Sequence, residues 1–287
     1  MINNIEELTV GLGGFTLLQA PTMTGIQMMS YVITSPSGKV LVIDGGNVGD
    51  EVFLYNEIIA KGGYVDMWII SHCHVDHYSA LVEIMENYDD IQIKKICYNF
   101  PPQEWVDKIE PQEKAHNDRI YALFERCSDL CQIVHDGECF DFEGAKIEIL
   151  NDPMKFVLSS KELSNDNLTV NDSSLVWRIT FPTGKTSLFL GDLGPIAGND
   201  LAGRYKNSLK SDMVQMAHHG QNGVEENVYQ YIRPDVCLWA APMWLYNNDL
   251  GQGFNTHCFK TIEVREWMKK LGVQHHVVEG EGTSLIK

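Results

Sequence analysis

Four metal-competent side chains fall within six residues in the run His72-Cys73-His74-Val75-Asp76-His77. In an extended or turning loop His72 and His74 point to the same side, so both can reach one ion. Asp76 and His77 follow on the next turn and can reach a second. Imidazole and carboxylate donors at this spacing suit zinc or another borderline divalent metal. A solvated polar loop, with Asp76 as an ordinary helix cap, would leave three histidines without partners. Two further features gain weight from this company. Gly191-Asp192 offers a carboxylate that can lie between two cations, and in His218-His219-Gly220 one histidine can complete the second metal while its neighbour faces substrate. Alone, either would be an ordinary turn.

The elements that must position these residues alternate along the chain. Residues 29–34 and 39–44 read as strands joined by the tight-turn signal Ser35-Pro36-Ser37-Gly38, a hairpin. Asp50 can cap a helix over 51–61 that Gly62-Gly63 ends. A buried-type strand over 65–71 runs straight into the histidine cluster, and a helix over 78–86 follows. The pattern continues with a strand at 91–98 and a helical segment at 111–132. Strands at 146–150, 175–180 and 186–190 come next, with Pro182-Thr183-Gly184 turning between the last two. Strands at 213–217, 236–240 and 274–278 are separated by helices at 225–232 and 256–271. Adjacent hairpins beside βα units predict mixed sheets, hence an α+β layered sandwich. Each of the three features stands at a strand end, where layered proteins of this kind build sites. With no repeat, low-complexity tract or linker, residues 1–287 read as a single domain.

The order HxHxDH, then GD, then HHG resembles the metallo-β-lactamase superfamily, and within it the ComEC/Rec2-like branch. Val42-Ile43-Asp44-Gly45-Gly46 resembles the early strand ending in Asp-Gly. Asn171-Asp172-Ser173-Ser174-Leu175-Val176 resembles the branch's N-x-x-S-L-V motif, and residues 187–193 its following strand. Asn255-x-His257 resembles an N-x-x-H-P element, with Cys258 in place of the proline. The resemblance runs from about Phe15 to Ile286. It implies a four-layer αββα sandwich of two mixed β-sheets flanked by helices, with a dinuclear site at one edge. It further implies that His72 and His74 bind the first metal, Asp76 and His77 the second, and Asp192 both. His218 would complete the second site, with His219 competing for that role. Asp44 would orient a ligand from behind. Many relatives give the first metal a third histidine between HxHxDH and the bridging aspartate. No histidine lies between Gly137 and Asp192 here, and Asn171 stands at the expected place. Asn171, Asp172 or water would fill that gap, leaving a weaker first site and making manganese an alternative to zinc.

Two divalent ions can lower the pKa of a shared water towards ~7 and aim the resulting hydroxide at an electrophile. Asp76 would hold it and accept a proton, and His219 or His257 would contact the substrate's developing charge. The expected function is therefore a metal-dependent hydrolase, with a small phosphoester or phosphodiester as first choice of substrate and a lactone, lactam or thioester as second. A non-catalytic metal-binding sensor or partner-binding module is the alternative of another class. It leaves the joint presence of Asp76 and Asp192 without a purpose. A redox di-iron variant fits less well, because that relative's motif carries Glu where His74 stands.

Bulk properties narrow the partners. The formal charge is −17, from 22 basic and 39 acidic residues. Such a surface repels phosphate backbones, so long nucleic acid is disfavoured. No apolar run approaches the ~20 residues of a membrane span. The acidic start, residues 1–7, lacks the pattern of a signal peptide, so a cytoplasmic location is expected. Seven scattered cysteines read as reduced, Cys127 and Cys131 as core. His275 and His276 read as structural or exposed. The aromatics Tyr98, Phe100, Trp105, Trp239, Trp244 and Tyr246 either wall a pocket or fill the core.

Overall fold

The two faces of each strand decide the architecture. In the computed structural model, which describes residues 6–160 and 167–287, Val32, Val42, Trp68 and Ile96 point from one sheet into an outer core. Their neighbours Tyr31, Ile33, Leu41, Ile43, Ile69 and Cys97 point the other way, into a core shared with the second sheet. Side chains alternate with a period of two along a strand, so runs that are apolar on both faces must be covered on both. Residues 1–5, part of the acidic N-terminus read above, lie outside the described residues.

The first sheet runs in the spatial order Glu6–Leu8, Ser284–Ile286, Thr16–Gln19, Ser30–Thr34, Val40–Asp44, Met67–Ile69, Ile96–Tyr98 and Cys131–Ile133. The second runs Cys139–Phe142, Ala145–Ile149, Trp177–Thr180, Thr186–Phe189, Met213–Gln215, Val236–Trp239 and His275–Val278. Both are mixed. Antiparallel hairpins such as Thr34↔Val40 give way to parallel pairs such as Val42↔Trp68 and Leu188↔Val214. The helices Glu51–Ala60, Val75–Asn87 and Lys114–Arg126 contribute to the outer core of the first sheet, and Pro195–Tyr205, Glu226–Ile232 and Thr261–Leu271 to that of the second. The result is the αββα sandwich that the sequence implies.

Several boundaries differ from the sequence reading. The segment read as one strand at 65–71 divides into Tyr64–Val65 and Met67–Ile69, and 91–98 divides into Gln92–Ile93 and Ile96–Tyr98. The front pieces, Tyr64–Val65 and Gln92–Ile93, pair with each other in a separate ribbon. The helical segment at 111–132 ends at Arg126, and Cys131 begins an edge strand, with the Cys127 and Cys131 sulfurs 3.7 Å apart. The last helix, read from residue 256, begins at Thr261. Asp50 precedes its helix without capping it. Its carboxylate accepts instead from the backbone of Met23 and Asn47, pinning two loops. Among the described residues, no helix is long and apolar enough to cross a membrane.

Glu279 ties the end of the chain to its beginning. Its carboxyl is 2% exposed and accepts the Thr22 N–H at 2.6 Å. Burial pushes its pKa up to about 8 from 4.5. Between those values the carboxyl is neutral when folded and ionised when unfolded, so folding takes up a proton. Stability therefore falls as pH rises through this window. Urea titrations of the metal-free protein should show wild type losing stability relative to Glu279→Gln between about pH 5 and about pH 8. A gap that does not change with pH would contradict the assignment.

Candidate metal centre

Parallel strands end together at one edge of the sandwich, and their C-terminal ends deliver the cluster. Asp44 closes Val40–Asp44, and His72 follows Met67–Ile69. Asp192 follows Thr186–Phe189, and His218 and His219 follow Met213–Gln215. The helix Val75–Asn87 starts directly after His74, which places Asp76 and His77 in its first turn. Gly191 adopts φ +55°, and a Cβ there would come within 2.9 Å of Ser71. Gly220 also has positive φ, and a Cβ would strike the Trp239 ring at 2.3 Å. These two glycines let their loops close on the cluster.

Each of four imidazoles has an outside acceptor for one ring nitrogen. The Asp44 carboxylate can only accept, so it takes the Ser71 Oγ–H at 2.7 Å and the His77 Nδ1–H at 2.6 Å. With its proton committed, Ser71 Oγ accepts from His72 Nδ1 at 3.0 Å. His74 Nε2 donates to Glu110 at 2.9 Å, and His219 Nδ1 donates to the Ala240 carbonyl at 2.7 Å. The other nitrogens face inward. His219 Nε2 lies 3.1 Å from Asp76 Oδ2 and 3.3 Å from Asp192 Oδ2, and His77 Nε2 lies 3.3 Å from Asp192 Oδ1. His72 Nε2 and His74 Nδ1 approach to 2.9 Å. Burial opposes charge on His74, but the Glu110 carboxylate raises its pKa, so a protonated His74 can donate Nδ1–H to His72. Once that proton is lost two lone pairs face each other, an arrangement that a shared cation relieves.

Two groups result, each with ligand atoms within 4.8 Å of one another: Asp76, His77, Asp192 and His219, and then His72, His74 and Asp192. Asp192 belongs to both. His77 Nε2, Asp192 Oδ1 and Asn171 Oδ1 are buried without a hydrogen-bond partner. Buried polar atoms rarely stay unpaired, and orphaned donors converging from three elements fit a pair of divalent cations.

Not every candidate joins these groups. His218 lies outside both, with its Nε2 3.8 Å from Asp192 Oδ2 and 3.4 Å from Asn171 Nδ2. His257 stacks edge-on against Phe259 at 4.5 Å and contacts neither group. Asp172 turns away to cap its own 3-10 turn and to accept from the Ala197 N–H at 3.0 Å. Ser174, two residues on, is more directly engaged, its Oγ accepting the Asp192 N–H at 3.1 Å. Of the aromatics, Trp239, Phe100 and Trp105 are core, and Trp244 donates its indole N–H to the Gly25 carbonyl. His275 and His276 are exposed on their strand, and Trp239 Nε1 donates to His276.

Two participants carry no sequence signal. Glu110, between two short helices, holds His74. Gln27 donates to Asp76 Oδ2 at 3.2 Å and accepts from Gln221. Neither sits in a motif, and only the fold brings them to the site.

The electrostatics follow from this crowding. Burial lowers the His72 pKa well below its usual value, and the charge on His77 adds to this. Burial also works against charge on His77 and His219, but the neighbouring carboxylates outweigh it. His77 is held well above the usual range and His219 is pushed up to about 10. Burial opposes ionisation of Asp192, yet His219 and His77 keep its pKa well below normal.

The folded architecture and the edge cluster define the metallo-β-lactamase fold. The model of the Metallo-beta-lactamase superfamily matches residues 23–114, the stretch that holds Asp44, the histidine run and Glu110. The matched stretch is about a third of the chain, and beyond it the solved structures are similar in fold. The metallo-beta-lactamase fold protein YhfI from Bacillus subtilis is 12% identical with a TM-score of 0.51, the match covering 94% of this chain and 98% of YhfI. CmlA, a diiron beta-hydroxylase from Streptomyces venezuelae, is 13% identical with a TM-score of 0.53. That match covers 99% of this chain and 55% of CmlA, so the chain spans about half of CmlA's length. At such identities the likeness is one of fold. No curated protein matches the chain.

Metal ligands must be deprotonated, so cations would displace the protons that His77 and His219 hold in the metal-free chain. Zinc titrations in buffers of different ionisation enthalpy should show net proton release, and affinity should rise with pH while pH stays below about 10. Uptake of protons, or affinity flat with pH, would contradict this. Glu110→Gln keeps the size but not the charge behind His74, and should weaken metal binding by about 10–100-fold, read by competition with a chelator.

Proposed function

We propose that the chain is a metal-dependent hydrolase acting on a small phosphoester or phosphodiester. The observation that carries the metal reading is the set of four imidazoles, each with an outside hydrogen-bond partner and its second nitrogen turned onto Asp192 or its neighbours. Asp76, His77, Asp192 and His219 would hold one divalent cation, and His72, His74 and Asp192 the other. Zinc suits this donor set, and manganese is the alternative. Two such cations would supply positive charge at the reacting centre and lower the pKa of a bound water.

The chain's own residues do the rest. Gln27 and His219 both hold Asp76 Oδ2, and the Asp76 carboxylate would be the base that takes a proton from water. Asp44 and Ser71 fix the inward nitrogens of His77 and His72, so little reorganisation accompanies reaction. His219 is fully enclosed, which suits a ligand better than a substrate contact. No contact carries a role for His257, and none is proposed.

Charge supports the substrate class. Two divalent cations would bring four positive charges against the three buried carboxylates Asp44, Asp76 and Asp192, which favours an anionic phosphoester over a neutral lactam. The chain's net charge of −17 turns away long polyanions. A compact phosphoester satisfies both constraints. It also agrees with the resemblance of Asn171 to Val176 and of His218-His219-Gly220 to the ComEC/Rec2-like branch, to which we assign the chain.

CmlA, a diiron beta-hydroxylase, shares the fold, so fold alone does not select the reaction. His74 favours hydrolysis, since the redox di-iron motif carries Glu there. The zinc- or manganese-loaded protein should hydrolyse bis-p-nitrophenyl phosphate, and Asp76→Asn should lower kcat by about 10²–10⁴-fold. High turnover of nitrocefin or an acyl lactone, with little of the phosphodiester, would reverse the substrate order. Tight metal binding without turnover across the panel would favour the sensor reading, and iron with visible absorbance the redox one.

A further inference from the structure

We infer that His218 supplies the missing nitrogen ligand of the first metal position, so that His218 and His219 each serve a different cation. The inference rests on the dinuclear reading above and names a ligand that reading leaves out.

The first group, His72, His74 and Asp192, offers three donors where a closed tetrahedral site takes four. Asn171 stands where the resemblance leads one to expect a third histidine, and His218 is the imidazole beside it, 3.4 Å from Nε2 to the amide nitrogen. Asp192 Oδ2 is the common point. It lies 4.0 Å from His72 Nε2, 3.8 Å from His218 Nε2 and 3.3 Å from His219 Nε2. His219 already belongs to the second group through Asp76, which leaves His72 and His218 as the other imidazoles at that oxygen.

Backbone conformation explains how neighbours in sequence can face the same carboxylate. Successive side chains of an extended chain point to opposite sides. His218 and His219 both adopt the left-handed conformation, with φ of 51° and 56°. Non-glycine residues rarely do so, and consecutive ones need an outside reason. The turn brings both rings onto Asp192. The His218 side chain is one-fifth exposed, so its ring has room to close the remaining distance. The buried Asn171 Oδ1 has no hydrogen-bond partner and marks the same spot as one that lacks a ligand.

The test counts ions and needs no substrate. Wild type saturated with zinc should hold two ions per chain by elemental analysis. His218→Ala and the polar His218→Asn should lose one ion, or bind it at least about tenfold more weakly, and should shift the visible spectrum of the cobalt form. In a His72→Ala background, His218→Ala should cost little more, because the first position is already broken. In a His219→Ala background it should still remove an ion. Two ions of wild-type affinity in both His218 variants would overturn the inference and leave the dinuclear reading standing, water then being the fourth donor. Fewer than two ions in wild type would overturn both. Circular dichroism of each variant separates ligand loss from misfolding. If His218→Ala is misfolded, the His218→Asn count decides, a wild-type count again overturning the inference.

Discussion

Three carboxylates, Asp44, Asp76 and Asp192, are buried together at one edge of the sandwich, at 0%, 9% and 1% exposure. A lone ionised carboxylate cannot be taken out of water without a partner of opposite charge, because the desolvation cost is prohibitive. Among the described residues, the ion-pair partners of these three are all histidines. Imidazole can meet the requirement in two ways. In the metal-free chain it carries a proton beside the carboxylate. In a metal-loaded chain it would give the proton up and turn a lone pair on the cation that replaces it. Lysine or arginine would compensate the charge permanently and close the site. The choice of histidine therefore keeps the compensation exchangeable, which is what a metal centre needs.

The same constraint explains how the two sheets are joined. Asp44 comes from the first sheet and Asp192 from the second, and they lean on a common set of groups. Ser71 donates to Asp44 and accepts from His72, while its backbone carbonyl accepts the Leu175 N–H at 2.8 Å. Ser174 accepts from the backbone of Asp192, and Asn151 holds the same stretch by bonding both Ser174 and Val176. The cluster is thus built into the seam between the sheets, with apolar packing on both sides of it. A shift of one sheet against the other would uncouple the ligands of both positions at once.

The site was legible where several chemical residue types fell close together. The run from His72 to His77 needed no fold to suggest two metals, and the alternation of apolar residues was enough for the core strands. What stayed hidden depended on distance along the chain. Glu110 lies 36 residues from His74, and Gln27 lies 49 from Asp76; neither sequence neighbourhood hints at the contact. The choice between His218 and His219 turned on two left-handed backbone conformations that residue type does not announce. The helix Pro195–Tyr205 went unread because its residues, with Gly198, Asn199 and Gly203, are poor helix formers. Burial of Leu201 and Ala202 against the second sheet's outer core outweighs that propensity. Strand ends were misjudged for a related reason: pattern shows which residues are apolar, but pairing partners decide where a ladder stops.

The two halves of the cluster differ in their access to solvent, and this difference assigns them different work. In the second group His77 and His219 are fully enclosed and Asp192 nearly so, and only the Asp76 side chain, at 12%, reaches solvent. At the first position the side chains of His74 and His218 are each about one-fifth exposed. In the hydrolase reading a substrate would therefore approach from the side of His74 and His218, over the position whose imidazoles are less enclosed. Partly exposed imidazoles would leave a cation there open to an incoming oxygen, whereas the enclosed group is better placed to hold the shared Asp192 carboxylate. Sequence had marked this asymmetry as a missing histidine. In the folded chain that position coincides with the open side of the site, where the partly exposed His218 stands beside Asn171.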